Sequence, residues 1–576
     1  MLILFSFFVV LIFLKVLTLS ANIVTPDLEL LILNVVAGES IFMIVLVLMF
    51  IGSTLIKGRT LSMVCRVLIF LIMSASLFDV YLLYSFQTRL SLEYFQQFSA
   101  EIGTLIFFAK LKIHHASIVF YLVSICVVAL ILTFIFKHNP ISRHKTIGAL
   151  SMAALLAVIG LVDIDTGYTN QDLKTMAVFG GQTRNVPYSE TFATKTLAHE
   201  KQRISCQVGS GSGEGKNIIL VLFESLSHYH SEKLLAKNSY VPDFDELVTK
   251  GRFFPNFHAN GYTTEDGLIA LFTGQVPMSG TLQKRGTNFG FAGFHSPTGS
   301  VPVFLNNQGY STEFYTTGDL QFLNKGRWLK GVGFDIVEGS ESPFYDGWQR
   351  FMFDAAADEA LYLRVIERHK AVQSEQKYFI AVENVTTHKP FIDPVSGTES
   401  QRLSFNYADR ELKKFYDYLE STDFFDNGLL IIAGDHRAMT GLHDIEKKEL
   451  QLKARAMTPM LIIGDGVGVE SRPFQQTELL PSLEHYLTQD SYCNTSFQGR
   501  FLDEPTVAEN CIFHVPGIEL NHLYAYCGEN QIDILLDGDD TRIIGENHDY
   551  PDKNLLLNEV NYQRIYRNRQ LDIFRN

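Results

Sequence analysis

Asn217-Ile-Ile-Leu-Val-Leu-Phe-Glu224 and Leu430-Ile-Ile-Ala-Gly-Asp435-His436 are two apolar runs that each end in an acidic residue. Uninterrupted apolar runs of this length are typical of strands buried on both faces of a parallel sheet. Open α/β sheets bind their ligands at the carboxyl ends of the strands. The two runs therefore predict that Glu224, Asp435 and His436 meet at one edge of a sheet. Carboxylate and imidazole groups together suit Zn²⁺ or Mn²⁺, with Mg²⁺ as the alternative.

The same pattern continues along the chain, where apolar strands alternate with helical periodicity. The predicted strands cover 217–223, 311–316, 377–383, 428–434 and 459–463. The predicted helices cover 264–273, 301–307, 355–373, 403–420 and 477–488. This alternation predicts an α/β domain over 217–576 with a mainly parallel sheet. A small antiparallel sheet is predicted at its C-terminal end, from short strands at 513–515, 522–527, 531–536 and 541–545.

Two further segments carry groups suited to phosphoryl chemistry. Thr264 begins a helical pattern, and a hydroxyl at a helix N-terminus lies in a field that favours bound phosphate. Metal coordination would lower the pKa of that hydroxyl and make it a nucleophile. The alternatives are that Thr264 caps the helix and that Thr263 is the nucleophile. His388 follows another apolar strand, and either protonates a leaving alkoxide, contacts a phosphate, or is a structural loop histidine.

Five polar residues near these segments are candidate substrate ligands. Asp319, Asn324 and Arg327 follow the strand predicted at 311–316, whereas Arg437 and His443 follow the Asp-His pair. Each side chain can contact a phosphate or a polar head group.

Residues 1–163 differ from the rest because long apolar runs dominate them. A bilayer crossing takes roughly 20 apolar residues. Five runs fit, at about 2–19, 30–56, 61–86, 116–136 and 146–163. The loops after the second and fourth runs are basic and without acids, so the positive-inside rule places them in the cytoplasm. The sequence thus predicts a multi-pass protein of the cytoplasmic membrane. Residues 164–216 are predicted to connect it to a catalytic domain on the periplasmic or extracellular side.

Charge and cysteine usage are consistent with an exported domain. The formal net charge of −14, with no basic stripe, argues against a nucleic-acid partner. Four cysteines lie in the exported part, and an even number in an oxidising compartment predicts disulfides. We predict a Cys493–Cys511 bond, which closes a short loop, and a Cys206–Cys527 bond.

The segments over about 217–490 resemble the lipoteichoic acid synthase-like branch of the alkaline phosphatase/sulfatase superfamily. The resemblance depends on the order of these segments and on the multi-span anchor that precedes them. This branch includes phosphoglycerol transferases. The resemblance implies that Glu224, Thr264, Asp435 and His436 bind a metal and that Thr264 is the nucleophile. It also implies that His388 lies in the substrate site. The Thr264-Glu-Asp-Gly segment differs from the Cys/Ser-x-Pro-x-Arg motif of true sulfatases, which argues against sulfatase activity.

The expected function is therefore transfer of a phosphoglycerol head group from phosphatidylglycerol in the membrane to an envelope glycan or polymer, through a covalent threonine intermediate. The alternatives are a phosphoethanolamine transferase, a phosphodiesterase with the same metal site, and a non-catalytic sensor. The donor phospholipid and the acceptor are the expected partners.

Overall fold

A computed structural model describes residues 2–20, 28–55, 59–86, 188–199, 204–205, 215–278, 291, 300–372, 376–488, 494–495, 499–502, 505–507, 511–517, 522–544 and 551–573. The chain divides into two compact units. The first comprises Met1–Arg184 with Ile544–Glu546, and the second comprises Asn185–Ile543 with Asn547–Asn576.

Three long helices describe the first unit: α1 (Leu2–Ser20), α2 (Leu28–Leu55) and α3 (Arg59–Phe86). They coincide with the first three predicted spans and contact one another pairwise. Among the described residues, one helical stretch, Thr60–Leu77, is long and apolar enough to cross a membrane by length and composition. The fourth and fifth predicted spans lie outside the described residues.

Charged side chains lie between these helices. Lys15 of α1 forms an ion pair with Glu39 of α2 and lies 3.7 Å from Asp79 of α3, and all three side chains are fully buried. Charges buried between helices are costly unless they are paired. The pairing of Lys15 with Glu39, beside Asp79, therefore offsets part of the cost of burying these charges.

The second unit begins with a helix and a short strand in the segment that we predicted as a connection. The elements, in chain order, are α4 (Glu190–His199), β1 (Ile204–Ser205), β2 (Asn217–Phe223), α5 (Pro242–Leu247), β3 (Arg252–His258), α6 (Thr264–Thr273), α7 (Val301–Asn307), β4 (Ser311–Thr316), α8 (Lys325–Gly331), β5 (Ile336–Glu338), α9 (Asp358–Ala371), β6 (Tyr378–Glu383), α10 (Gln401–Ser421), β7 (Gly428–Gly434), α11 (Asp444–Glu449), β8 (Met457–Ile463), β9 (Gly468–Val469), β10 (Phe474–Gln475), α12 (Leu479–Thr488), β11 (Asn494–Thr495), β12 (Ile512–His514), β13 (His522–Cys527), β14 (Asn530–Asp537), β15 (Asp540–Ile544) and α13 (Lys553–Ile573).

The main sheet has nine strands in the order β10-β3-β8-β7-β2-β6-β4-β5, with β9 also paired to β3. Strand β2 lies between β6 and β7 and pairs with both in parallel. Strand β8 runs antiparallel to its neighbours β3 and β7. The sheet is therefore mainly parallel, as predicted, and the carboxyl ends of β2, β6 and β7 share one edge.

Helices cover both faces of this sheet, because alternate side chains of each strand enter different cores. Ile218, Leu220 and Leu222 pack with residues of α6, α7, α8 and α12. Ile219, Val221 and Phe223 pack with residues of α5, α9 and α10. All ten residues of α6 are buried. The helix that carries Thr264 is therefore fixed against the sheet along its whole length.

The C-terminal sheet has four strands in the order β12-β13-β14-β15, and its described pairs are antiparallel. The predicted disulfides are wrong, because Cys511 is bonded to Cys527. The pairing of Ile512 with Tyr526 brings the two cysteines to neighbouring ends of β12 and β13. The spacing of the cysteines along the sequence does not show which strands pair. The short loop between Cys493 and Cys511 therefore did not indicate the bonded pair. Cys206 and Cys493 lie outside the described residues.

Candidate active site

Glu224 is the first residue after β2, and it is buried at the edge of the sheet. Its backbone N–H donates to Asn384 Oδ1 at 2.6 Å, and its carbonyl accepts from the Thr387 hydroxyl at 2.7 Å. The next residue, Ser225, has φ of 64°, a left-handed conformation that is uncommon outside glycine. Its hydroxyl donates to Glu224 Oε1 at 2.7 Å. The Glu224 carboxylate is therefore buried and held by its neighbours.

Asp435 and His436 follow β7 directly, and each offers one ligand atom close to the carboxylate of Glu224. Asp435 Oδ1 accepts from the N–H groups of Ser225 and His436, both at 2.8 Å. Asp435 Oδ2 is buried without a hydrogen-bond partner among the described residues. His436 Nδ1 lies 2.8 Å from the Arg437 carbonyl. Donation to that carbonyl fixes the tautomer and leaves the Nε2 lone pair for a ligand.

Thr264 and Thr263 have different roles at the start of α6. Thr263 is the N-cap, and its side chain accepts from the Asp266 N–H while Asp266 accepts from the Thr263 N–H. Thr264 is not the cap. Its hydroxyl donates to Glu224 Oε2 at 3.0 Å and lies 3.3 Å from His436 Nε2. The structure thus brings Thr264, rather than Thr263, to the predicted metal ligands.

The ligand atoms of Glu224, Asp435 and His436 lie within 4.8 Å of one another. Burial disfavours charge on His436, but the carboxylates of Asp435 and Glu224 raise its pKa to about 10. Burial and the charge of Glu224 raise the pKa of Asp435 well above its usual range. The carboxylates of Glu224 and Asp435 therefore stabilise a positive charge at His436 Nε2. The unpartnered Asp435 Oδ2 and the buried oxygen and nitrogen atoms around it fit a divalent cation.

His388 lies on the loop after β6, close enough for the charge of Glu224 to affect it. Burial lowers the pKa of His388 and the charge of Glu224 opposes that shift. Its Nδ1 lies 2.6 Å from the Lys389 carbonyl, so donation there leaves Nε2 available. The Phe353 ring contacts the imidazole edge-on at 4.7 Å between centroids.

The loop itself is anchored by Asp358, at the start of α9. Its carboxylate accepts from Asn384 Nδ2 and from the N–H groups of Val385 and Thr386 at 2.8–3.2 Å. Because Asn384 also accepts the Glu224 N–H, this anchor joins the His388 loop to the predicted metal ligands.

The segment after β4 presents its predicted residues mainly to solvent. Asn324 and Arg327 are exposed. Asp319 is half-buried, and its Oδ1 accepts from the Gln321 N–H at 2.8 Å. Between them, Lys325 is largely buried, and its ammonium lies 2.6 Å from Glu383 Oε1. Lys325 was not among the predicted site residues, although its spacing to Trp328 and Leu329 is that of one helix face.

Arg437 and His443 lie on the loop after the Asp-His pair. Arg437 is buried, pairs with Glu446 at 2.6 Å and donates to the carbonyls of Ala438, Thr440 and Gly441. These contacts occupy its guanidinium with the loop itself rather than with a substrate. His443 is half-buried and stacks on Tyr229 at 3.9 Å between ring centroids.

Comparisons with known proteins find relatives of low sequence identity. Lipoteichoic acid synthase 1 of Bacillus subtilis is 23% identical over 317 residues, which cover 49% of this chain and 47% of that protein. Lipoteichoic acid synthase of Staphylococcus aureus is 22% identical over 336 residues, which cover 52% of this chain and 49% of that protein. The chain thus spans about half the length of these relatives.

A crystal structure of an alkaline phosphatase superfamily protein from Vibrio parahaemolyticus has a similar fold. Its TM-score is 0.52 at 18% sequence identity, covering 68% of this chain and 97% of that chain. The family model described as Sulfatase matches residues 216–487, which include Glu224, Thr264, His388, Asp435 and His436. The resemblance noted in the sequence is therefore confirmed at the level of the domain, and residues 216–487 of this chain match the sulfatase family.

Proposed function

We propose that this chain is a membrane-anchored phosphoglycerol transferase. It moves a phosphoglycerol group from phosphatidylglycerol to a hydroxyl of an envelope glycan or polymer at the outer face of the cytoplasmic membrane. The observation that carries the proposal is the Thr264 hydroxyl, which lies 3.0 Å from Glu224 Oε2 and 3.3 Å from His436 Nε2 at a helix N-terminus. The similarity to lipoteichoic acid synthases supports the choice of a phosphoglycerol donor.

Glu224, Thr264, Asp435 and His436 would hold the cation, for which we favour Mn²⁺ or Zn²⁺ over Mg²⁺. When bound, it would lower the pKa of the Thr264 hydroxyl and neutralise charge on the phosphoryl oxygens. The N-terminal turn of α6 directs its dipole at the same phosphoryl group.

The reaction proceeds in two displacements on phosphorus. Thr264 Oγ1 loses its proton to solvent and bonds to phosphorus, while the bond from phosphorus to the diacylglycerol oxygen breaks. His388 enters this step as the imidazolium, with a second proton on Nε2, and donates that proton to the leaving oxygen. In the second step the neutral His388 Nε2 removes the proton of the acceptor hydroxyl, which restores the imidazolium. The acceptor oxygen bonds to phosphorus as Thr264 Oγ1 leaves and takes up a proton from solvent.

Intact-mass analysis of the full-length protein, incubated with Mn²⁺ and either phosphatidylglycerol or phosphatidylethanolamine, tests this proposal. We expect a phosphoglycerol adduct on Thr264 and none in Thr264→Ala. A phosphoethanolamine adduct instead would keep the mechanism and change the donor. Lipid consumption without an adduct would favour a phosphodiesterase that uses water, and no lipid consumption in a metal-loaded protein would refute the transferase.

A further inference from the structure

Glu383 is a buried carboxylate at the reactive edge of the sheet to which the mechanism above gives no role. It is the last residue of β6 and is paired in register with Leu222 of β2, two residues before Glu224. Phe379 and Ala381, its alternate neighbours, pack in the core that contains residues of α6 and α8. Because strand side chains alternate, Glu383 points to the face that carries both Thr264 and Lys325.

The contact between Glu383 and Lys325 is short and largely excluded from solvent. Lys325 Nζ lies 2.6 Å from Glu383 Oε1, with side-chain exposures of 12% and 4%. A buried charge needs a paired and hydrogen-bonded partner. Burial would lower the pKa of Lys325, but Glu383, Glu265 and Glu224 outweigh it and raise the pKa. Lys325 therefore carries its charge within the field of the carboxylates around Thr264.

An ammonium group has three N–H donors, and Glu383 takes one of them. Among the described residues Glu383 is its hydrogen-bond acceptor, so two donors remain for an anion at this edge. A phosphodiester anion that approaches Thr264 also meets the negative charges of Glu224, Glu265 and Glu383, so a fixed cation lowers the free energy of its binding.

We propose that Glu383 is a positioning residue, whose carboxylate holds the Lys325 ammonium where it contacts a phosphoryl oxygen of the donor. The inference rests on the proposed function, because it assigns Lys325 to the phosphoryl group that Thr264 attacks. Glu383 acts through Lys325 and makes no contact with the substrate itself.

A double-mutant cycle on the full-length, Mn²⁺-loaded protein tests this inference. Two readouts are measured: diacylglycerol release from phosphatidylglycerol vesicles, and the Kd of inorganic phosphate. We expect Lys325→Met to lower kcat/KM on the order of 100-fold, as for loss of one oxyanion donor, and Glu383→Gln to lower it about 10-fold and to weaken phosphate binding. In the Lys325→Met background, Glu383→Gln should have no further effect on either readout.

Glu313→Gln is the matched control. Glu313 of β4 is a fully buried partner of Arg368. It shares a strand face with Tyr315, which packs in the core on the face of the sheet opposite α6. We expect it to lower stability but to leave kcat/KM and phosphate affinity unchanged. Fold losses that multiply in the double variant, or wild-type values for Glu383→Gln, would overturn the positioning role. If the wild-type protein binds phosphate but consumes no phosphatidylglycerol, the donor assignment fails while the phosphate cycle still decides the role of Glu383.

Discussion

Two adjacent threonines at the start of α6 provide an internal comparison at the scale of single residues. Thr264→Ala removes the hydroxyl that lies against Glu224 and His436, so we expect turnover to fall by at least 1,000-fold, the order seen when a nucleophile is removed. Thermal unfolding of the metal-free variant should match the metal-free wild type. Diacylglycerol release and the intact-mass adduct measure the loss.

Thr263→Ala is the control, because Thr263 caps the helix and faces Asp266. Loss of a cap costs about 1 kcal/mol of stability. We expect a lower melting temperature and turnover close to wild type. Full activity of Thr264→Ala together with an inactive Thr263→Ala would reverse the assignment of the nucleophile.

Residues that follow apolar strands were predictable from sequence, and those that lie on a surface helix were not. Glu224, Asp435 and His436 each end a run that must be buried, so their convergence follows from the rule for parallel sheets. Lys325 is one of several polar residues after β4, and only its helical phase distinguishes it from Asn324 and Arg327. The helix is seven residues long, about two turns, and periodicity over so short a segment is a weak signal.

Among the elements, strand β3 was not predicted from the sequence. Pro255 interrupts its apolar residues, and proline lacks the N–H that a sheet ladder requires. In the structure the register of β3 against β8 shifts between Phe254 and Phe257, so the irregularity lies at this proline. The five strands predicted for the main sheet coincide with β2, β4, β6, β7 and β8 within two residues.

The approach of helix α6 to strand β7 depends on Gly267. A Cβ at this position would lie 2.3 Å from the Asp435 carbonyl oxygen, a distance that a side chain cannot adopt. Gly267→Ala should therefore displace α6 from β7, lower stability by about 1–3 kcal/mol and weaken Mn²⁺ binding. Isothermal titration with Mn²⁺ and thermal unfolding measure the two effects.

Gly318→Ala is the comparison for Gly267→Ala, since its Cβ would meet Val385 at an ordinary 3.4 Å. We expect this variant to bind Mn²⁺ like the wild type. Equal Mn²⁺ affinity in Gly267→Ala and Gly318→Ala would show that the close approach of α6 does not position the ligands.

The disulfide in the C-terminal sheet makes a separate contribution. The bond between Cys511 and Cys527 closes a loop with a sequence separation of 16 residues, and loops of this length stabilise by about 3 kcal/mol in the chain-entropy model. Cys511→Ser with Cys527→Ser should lower the free energy of unfolding by about 2–4 kcal/mol without changing Mn²⁺ affinity. Denaturant unfolding followed by circular dichroism tests this prediction, and unchanged stability would contradict it.

For the whole molecule, cation binding and folding are linked through the buried carboxylates. A ligand that binds only the folded state stabilises it by about 2.7 kcal/mol at 100 times its Kd. Glu224 and Asp435 are buried beside each other, so without a cation their charges repel. We expect EDTA to lower the melting temperature of the Mn²⁺-loaded protein by roughly 1 °C for each kcal/mol lost, because the unfolding entropy of a unit of this size is large. In Asp435→Ala, which lacks a ligand, EDTA should cause no shift. An equal shift in both proteins would mean that the stabilising cation binds elsewhere in the chain.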